Sequence, residues 1–238
     1  MGKLKDKKVK EQNTITEAPK LVKMKEGLTL VSGELQLTGD YGNLLPRVKG
    51  NQINGEMIVK AVKIKDVENE NLVVLDATAG LGEDSFILGA AGFQVILCER
   101  NDVIFSLLED TYQRALEDEE LQFAANNMDL IHGSSIDVLR AVCDGEKIRK
   151  SELPAIDVVL LDPMFPEKTK NSLTNKKLQL FQKLEMPCTE EEELFDAAQK
   201  AHPRKIVVKR PLKGPYLCGK KPNHSIEGKT VRYDCYLI

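Results

Sequence analysis

The chain has 238 residues, of which 42% are hydrophobic and 30% charged, and a formal net charge of −3. These are the proportions of a folded globular protein and exclude disordered, collagenous and low-complexity classes. No apolar run approaches the roughly 20 residues that cross a bilayer, and the lysine-rich amino terminus lacks an apolar signal core, so a cytoplasmic protein with no membrane partner is expected. Cys98, Cys143, Cys188, Cys218 and Cys235 are odd in number and show no C-x-x-C spacing. Neither a disulfide framework nor a metal site is therefore expected, and the cysteines read as small buried apolar residues.

Residues 1–25 carry eight lysines against Asp6, Glu11 and Glu17, which predicts a mobile arm to about residue 15. Leu28–Val31 and Glu34–Thr38 flank Ser32-Gly33 and predict a hairpin. The reading takes residues 1–50 as an arm plus this extension and 51–238 as the main domain. Asn54 is placed as the cap of a helix through Met57, Ile58, Ala61 and Val62. From residue 72, apolar strands at 72–75, 94–98, 128–132, 156–161 and 205–209 alternate with helical stretches near 84–91, 102–118, 135–143 and 190–201. Repeated β-α-β order with continuous apolar strands implies an α/β, doubly wound, mostly parallel sheet covered by helices on both faces. The tail after Ser225 has no room for another helix and reads as an antiparallel hairpin turning at Glu227-Gly228.

Charge is unevenly distributed. Residues 203–221 hold Arg204, Lys205, Lys209, Arg210, Lys213, Lys220 and Lys221 with no acid. Lys168 and Lys170 follow another strand end, so a polarised surface with a basic side is expected.

Two strand ends carry the chemistry. After Leu72–Leu75 comes Asp76-Ala77-Thr78-Ala79-Gly80-Leu81-Gly82-Glu83-Asp84-Ser85, where Gly80 and Gly82 permit a tight turn and Asp84 or Ser85 can cap the next helix. Glu99 ends the next strand near the spacing at which an acid meets ribose hydroxyls. Nicotinamide dinucleotides and S-adenosylmethionine both use such a site. Glu83 and Asp84 would repel a pyrophosphate at the helix start, whereas a ligand bearing an ammonium and a sulfonium tolerates them; Asp76 could face that cationic part. The electrostatics favour S-adenosylmethionine. Ser134 and Ser135 start another helix and can cap it or offer a hydroxyl to an adenine edge. His132 reads as a packed strand-end residue.

Asp162-Pro163-Met164-Phe165 ends the strand at 156–161. Asp162 and the Pro163 carbonyl could accept both N–H groups of an exocyclic amine, while Phe165 could stack on its ring, a contact worth about 1–3 kcal/mol. Positioning of amine and methyl donor would then supply most of the rate.

Five blocks, Asp76–Gly82, Glu99-Arg100-Asn101, Ile131–Ser135, Leu161–Pro166 and Val207-Val208-Lys209-Arg210-Pro211, make residues 50–238 resemble RsmJ-type methyltransferases; residues 1–25 show no clear relation to them. The resemblance implies a class I S-adenosylmethionine-dependent enzyme acting on the exocyclic N2 of a guanosine in small-subunit (16S) rRNA, free or assembled. It implies cofactor contacts from Glu83, Asp84, Glu99, Arg100, Ser134, Ser135 and Asp162, in addition to Asp76, Gly80 and Gly82. Asp162, Pro163 and Phe165 are the expected catalytic residues, and Lys168, Lys170, Lys209 and Arg210 the expected phosphate contacts. A DNA-adenine, other RNA or protein-glutamine N-methyltransferase shares the Asp-Pro turn, and a nicotinamide oxidoreductase or a non-enzymatic RNA-binding factor are the remaining readings. Oligomeric state is not readable.

Overall fold

A computed structural model describes residues 18–144, 147–148, 151–152, 155–163 and 190–238. The expected mobile arm to residue 15, together with Cys188, Phe165, Lys168 and Lys170, lies outside the described residues.

The core is a seven-stranded sheet. Its strands are β4 (Val73–Asp76), β5 (Gln94–Glu99), β6 (Met128–His132), β9 (Val158–Leu161), β10 (Lys205–Pro211), β11 (His224–Glu227) and β12 (Val231–Leu237), in the order β11-β12-β10-β9-β4-β5-β6. β6, β5, β4, β9 and β10 run parallel, and β12 pairs antiparallel with both β10 and β11. The chain moves outward from β4 through β5 to β6 and then returns to place β9 on the other side of β4. That reversal opens a crevice at the carboxyl ends of β4 and β9, where open α/β sheets bind ligands. A two-residue pair, β7 (Lys147–Ile148) and β8 (Ser151–Glu152), stands apart.

Alternation along each strand divides its side chains between two helical layers. Val158 and Leu160 of β9, with Val74, Val95 and Val207, pack under α2 (Met57–Val62), α3 (Glu83–Ala90) and α4 (Asp102–Leu116). Val159 and Leu161, with Leu75, Ile96 and Val208, pack under α6 (Ser135–Asp144) and α7 (Glu191–Lys200). Burial on both faces is why these strands read as unbroken apolar runs. Short helices α1 (Leu45–Val48) and α5 (Gln122–Ala125) complete the set.

The expected hairpin forms as β2 (Gly27–Ser32) and β3 (Leu35–Thr38), and β1 (Lys20–Met24) adds a third antiparallel strand. This small sheet is docked on α4. Leu30, Leu35 and Leu37 bury against Ile104 and Leu107 of α4 and against Leu81, while Phe105 and Leu108 on the same helix face the large sheet. Asp110 completes the seam, accepting from the Leu28 amide at 2.9 Å, and Arg114 donates to the Gly39 carbonyl at 2.6 Å.

Several local expectations are corrected. Glu56, not Asn54, precedes α2, because Asn54 is taken up in a 3-10 turn over Gly50–Gly55. Of the cysteines, Cys98 and Cys235 are buried but Cys143 is exposed and Cys218 half-buried. The basic run does not form one solvated face: the Lys205 ammonium is buried and donates to the carbonyls of Ala61 and Lys63 at the carboxyl end of α2. Among the described residues no helix is long and apolar enough to cross a membrane, and no cluster of His, Cys, Asp and Glu could hold a metal.

Leu30 is fully buried in the seam between the small sheet and α4. Leu30→Ala should destabilise the fold by about 2–4 kcal/mol, the usual cost of such a cavity, measured by urea denaturation.

Candidate active site

Parallel register builds the site. Asp76 pairs with Leu160, so the turn after β4 and the residues after β9 rise side by side. Two bonds lock them together: the Ala77 amide donates to the Leu160 carbonyl at 3.0 Å, and the Asp162 amide donates to the Thr78 hydroxyl at 2.6 Å. The adjoining strand closes the other side. The buried Glu99 carboxylate accepts from the Gly80 amide at 3.0 Å and from the Asn101 amide at 2.8 Å.

The two glycines have different duties. Gly80 has φ 56°, and a Cβ there would meet nothing within 4 Å, so the turn faces open space at the crevice. Gly82 has φ 73° and is packed from behind: a Cβ would lie 2.6 Å from the Tyr41 hydroxyl and 2.9 Å from Leu108. Tyr41 is buried, stacks on Phe86 with ring centroids 4.5 Å apart, and donates to the Leu81 carbonyl at 3.0 Å. Nothing in the local sequence marks this residue, because its partners lie about 40 positions away.

Neither Asp84 nor Ser85 caps α3. Gly82 occupies the N-cap without a side-chain bond, and the Ser85 hydroxyl instead donates to Asp76 at 2.6 Å. Asp76 also accepts from the Thr78 amide at 3.1 Å. Burial nevertheless pushes its carboxyl up to about 7, against those two hydrogen bonds and assisted by the charges of Asp84 and Asp162. Ser134 does cap α6, with its hydroxyl 3.4 Å from the Asp137 amide. Asn101 caps α4 by accepting from the Val103 and Ile104 amides. His132 is exposed rather than packed in the interior: it stacks on Phe105 and approaches Asp102 at 2.9 Å.

The basic residues of β10 are the main departure. Lys209 lies in the crevice, with its ammonium 2.6 Å from Asp84 and 3.1 Å from Asp162. Although desolvation opposes its charge, Asp162 and Asp84 raise its pKa above the usual lysine value. Arg210 is 2% exposed and points toward Glu191 at 3.7 Å. Both were expected at RNA phosphates; burial removes Arg210 from any outer surface, and the two carboxylates hold Lys209 inward. Arg100, expected at the cofactor, lies at the surface and pairs with Glu190 at 2.8 Å. The structure thus gathers Asp76, Gly80, Gly82, Asp84, Glu99, Asp162 and Lys209 around the β4 and β9 ends.

A family model described as a SAM-dependent methyltransferase matches residues 8–238. The ribosomal RNA small subunit methyltransferase J of Thioalkalivibrio sulfidiphilus is 38% identical over 205 residues, which are 86% of this chain and 76% of the relative. The chain belongs to the methyltransferase J family of SAM-dependent methyltransferases. The protein of the same name from Pseudomonas aeruginosa is 43% identical over 183 residues, 77% of this chain and 66% of the relative, so the match spans just under two thirds of the Pseudomonas protein. A SAM-dependent methyltransferase from Neisseria gonorrhoeae has the same fold, with a TM-score of 0.72, 28% identity and coverage of 95% of this chain and 85% of that one. The rRNA methyltransferase AviRa of Streptomyces viridochromogenes, 15% identical with a TM-score of 0.51 over 79% of this chain and 84% of its own, shares the fold. Membership sets aside the nicotinamide reading. It also corrects the expected extent of the resemblance, because the family match begins at residue 8 and includes the amino-terminal extension.

Two predictions come from this geometry. Gly82→Ala forces a left-handed backbone on alanine and drives Cβ into Tyr41, so cofactor affinity should fall at least tenfold with about 1–3 kcal/mol lost in stability, read by calorimetry and thermal melting. Asp76 has a folded pKa above its unfolded value of about 3.9, so its contribution to stability is full below about pH 4 and is lost as pH rises through about 7. The melting temperature of the cofactor-free protein should fall across that window, and Asp76→Asn should flatten the fall.

Proposed function

We propose that the protein transfers a methyl group from S-adenosylmethionine to the exocyclic N2 of a guanosine in small-subunit rRNA. The observation that carries this reading is the carboxylate of Asp162 standing at the end of β9, joined through its own amide to the Thr78 turn that faces the open space beside Gly80. Relatives named for methylation of ribosomal RNA of the small subunit support the substrate class.

The residues present fit the cofactor. Gly80 leaves room for close backbone approach, the Glu99 carboxylate is fixed by two amides where a pair of ribose hydroxyls could be received, and Asp76 and Asp84 supply negative charge toward an ammonium. Glu83, beside them at the exposed first turn of α3, Ser134 and Ser135 belong to the same proposed set, with the Ser134 hydroxyl shared with its capping bond. When bound, S-adenosylmethionine supplies a methyl group on a positive sulfonium, and sulfur retains the bonding electron pair as carbon joins nitrogen.

The guanine amine is a weak nucleophile because its lone pair is delocalised into the ring. Asp162 and the Pro163 carbonyl would accept its N–H groups, turn the nitrogen toward a tetrahedral shape and aim its lone pair. The proton released as the N–C bond forms would pass to Asp162 and then to water. Phe165 would stack on the base once it is unstacked from the RNA, and Lys168 and Lys170 would meet phosphates.

The test is nucleoside mass spectrometry of 16S rRNA from a strain lacking the protein. N2-methylguanosine should fall by one site, be restored by the wild-type protein and not be restored by Asp162→Ala, whose circular dichroism should remain native. Unchanged N2-methylguanosine in the deletion strain overturns the substrate; full restoration by Asp162→Ala overturns the mechanism.

A further inference from the structure

Lys209 has no part in the mechanism above, yet its ammonium lies 3.1 Å from the central carboxylate, Asp162. Its ammonium is held between Asp84 at the first turn of α3 and Asp162 at the end of β9. The side chain is one-quarter exposed, on a strand flanked by β9 and β12. A lysine meant for phosphate would instead extend into solvent, as Lys213 and Lys221 are placed to do. We propose that Lys209 is a positioning residue for methyl transfer: clamped between two carboxylates, it keeps Asp162 negatively charged and turned toward the amine that receives the methyl group. This rests on the proposed reaction and deepens it by adding the residue on which its acceptor depends.

The electrostatic surroundings explain the need. Asp162 is surrounded by Asp84 on α3, Asp76 at the end of β4, Tyr233 on β12, and Lys209 and Arg210 on β10. Desolvation and the acids favour a protonated carboxyl, and Lys209 is the strongest opposing influence. A protonated Asp162 has one oxygen converted from acceptor to donor and cannot take up the amine's proton. An opposite charge in contact moves a carboxyl by about 1–3 pH units, so loss of Lys209 raises the pH at which Asp162 ionises.

The experiment measures kcat and the KM for the cofactor against pH on 16S rRNA from the deletion strain, for wild type, Lys209→Gln and Lys209→Arg. Glutamine can still donate a hydrogen bond but is neutral, whereas arginine keeps the charge. The expected result is an acid limb moved upward by about one unit or more in the glutamine variant, with activity recovering at high pH. The arginine variant should keep the wild-type limb whatever its absolute rate. An unmoved limb in Lys209→Gln, or a change confined to KM for the cofactor, overturns the proposal. If wild type itself fails to methylate this rRNA, the proposed substrate fails separately. Carboxyl-13C titration of unaltered protein needs neither substrate nor a folded variant: Asp162 must be ionised at neutral pH, and an Asp162 still protonated there overturns the assignment of Lys209.

Discussion

The parallel pairing of β4 with β9 is the constraint from which the site follows. Once Asp76 stands opposite Leu160, the backbone leaves little choice about what comes next: Thr78 meets Asp162, and the turn bearing Gly80 rises beside it. Glu99 then ties that turn to the neighbouring strand. Three segments separated by tens of residues are thereby fixed by backbone amides donating to the buried Glu99 carboxylate and the Thr78 hydroxyl. Such fixing carries little conformational freedom, which suits a reaction that depends on aiming two reactants.

Charge in the crevice is organised against its surroundings. Three carboxyl groups, Asp76, Asp84 and Asp162, share a partly dry space with the Lys209 ammonium. Burial alone would push protons onto Asp76 and Asp162. Hydrogen bonds from Ser85 and Thr78 at Asp76, and the Lys209 pairing at Asp162, pull in the opposite direction. The arrangement has an excess of negative charge that a cationic ligand would offset, which is the electrostatic sense in which the site fits its family's cofactor.

Much of the fold was readable because its physics is local. Strands buried on both faces read as apolar runs, and β9 and the Ile206–Val208 stretch of β10 show this in sequence; the carboxyl ends of such strands are where ligands bind, which singled out Asp76, Glu99 and Asp162. What stayed hidden was decided by distant partners. Lys209 and Arg210 look like solvated charge until Asp84, 125 residues earlier than Lys209, and Glu191 are brought against them. Ser85 has the features of a helix cap, but a buried carboxylate claims its hydroxyl. Arg100 adjoins Glu99 in sequence, yet alternation at the strand end sends it outward to Glu190.

The position of Tyr41 alters what the amino-terminal extension is. Its ring fills the space behind Gly82, and its hydroxyl holds the Leu81 carbonyl from the side opposite the crevice. The extension is therefore a wedge under the turn rather than an appendage, and trimming the protein back to residue 50 would leave a hollow beneath its glycine hinge. Leu81, set between the two glycines, packs in one cluster with Leu30, Leu35 and Leu37 of the small sheet and Ile104 and Leu107 of α4, so the extension braces the turn from two directions.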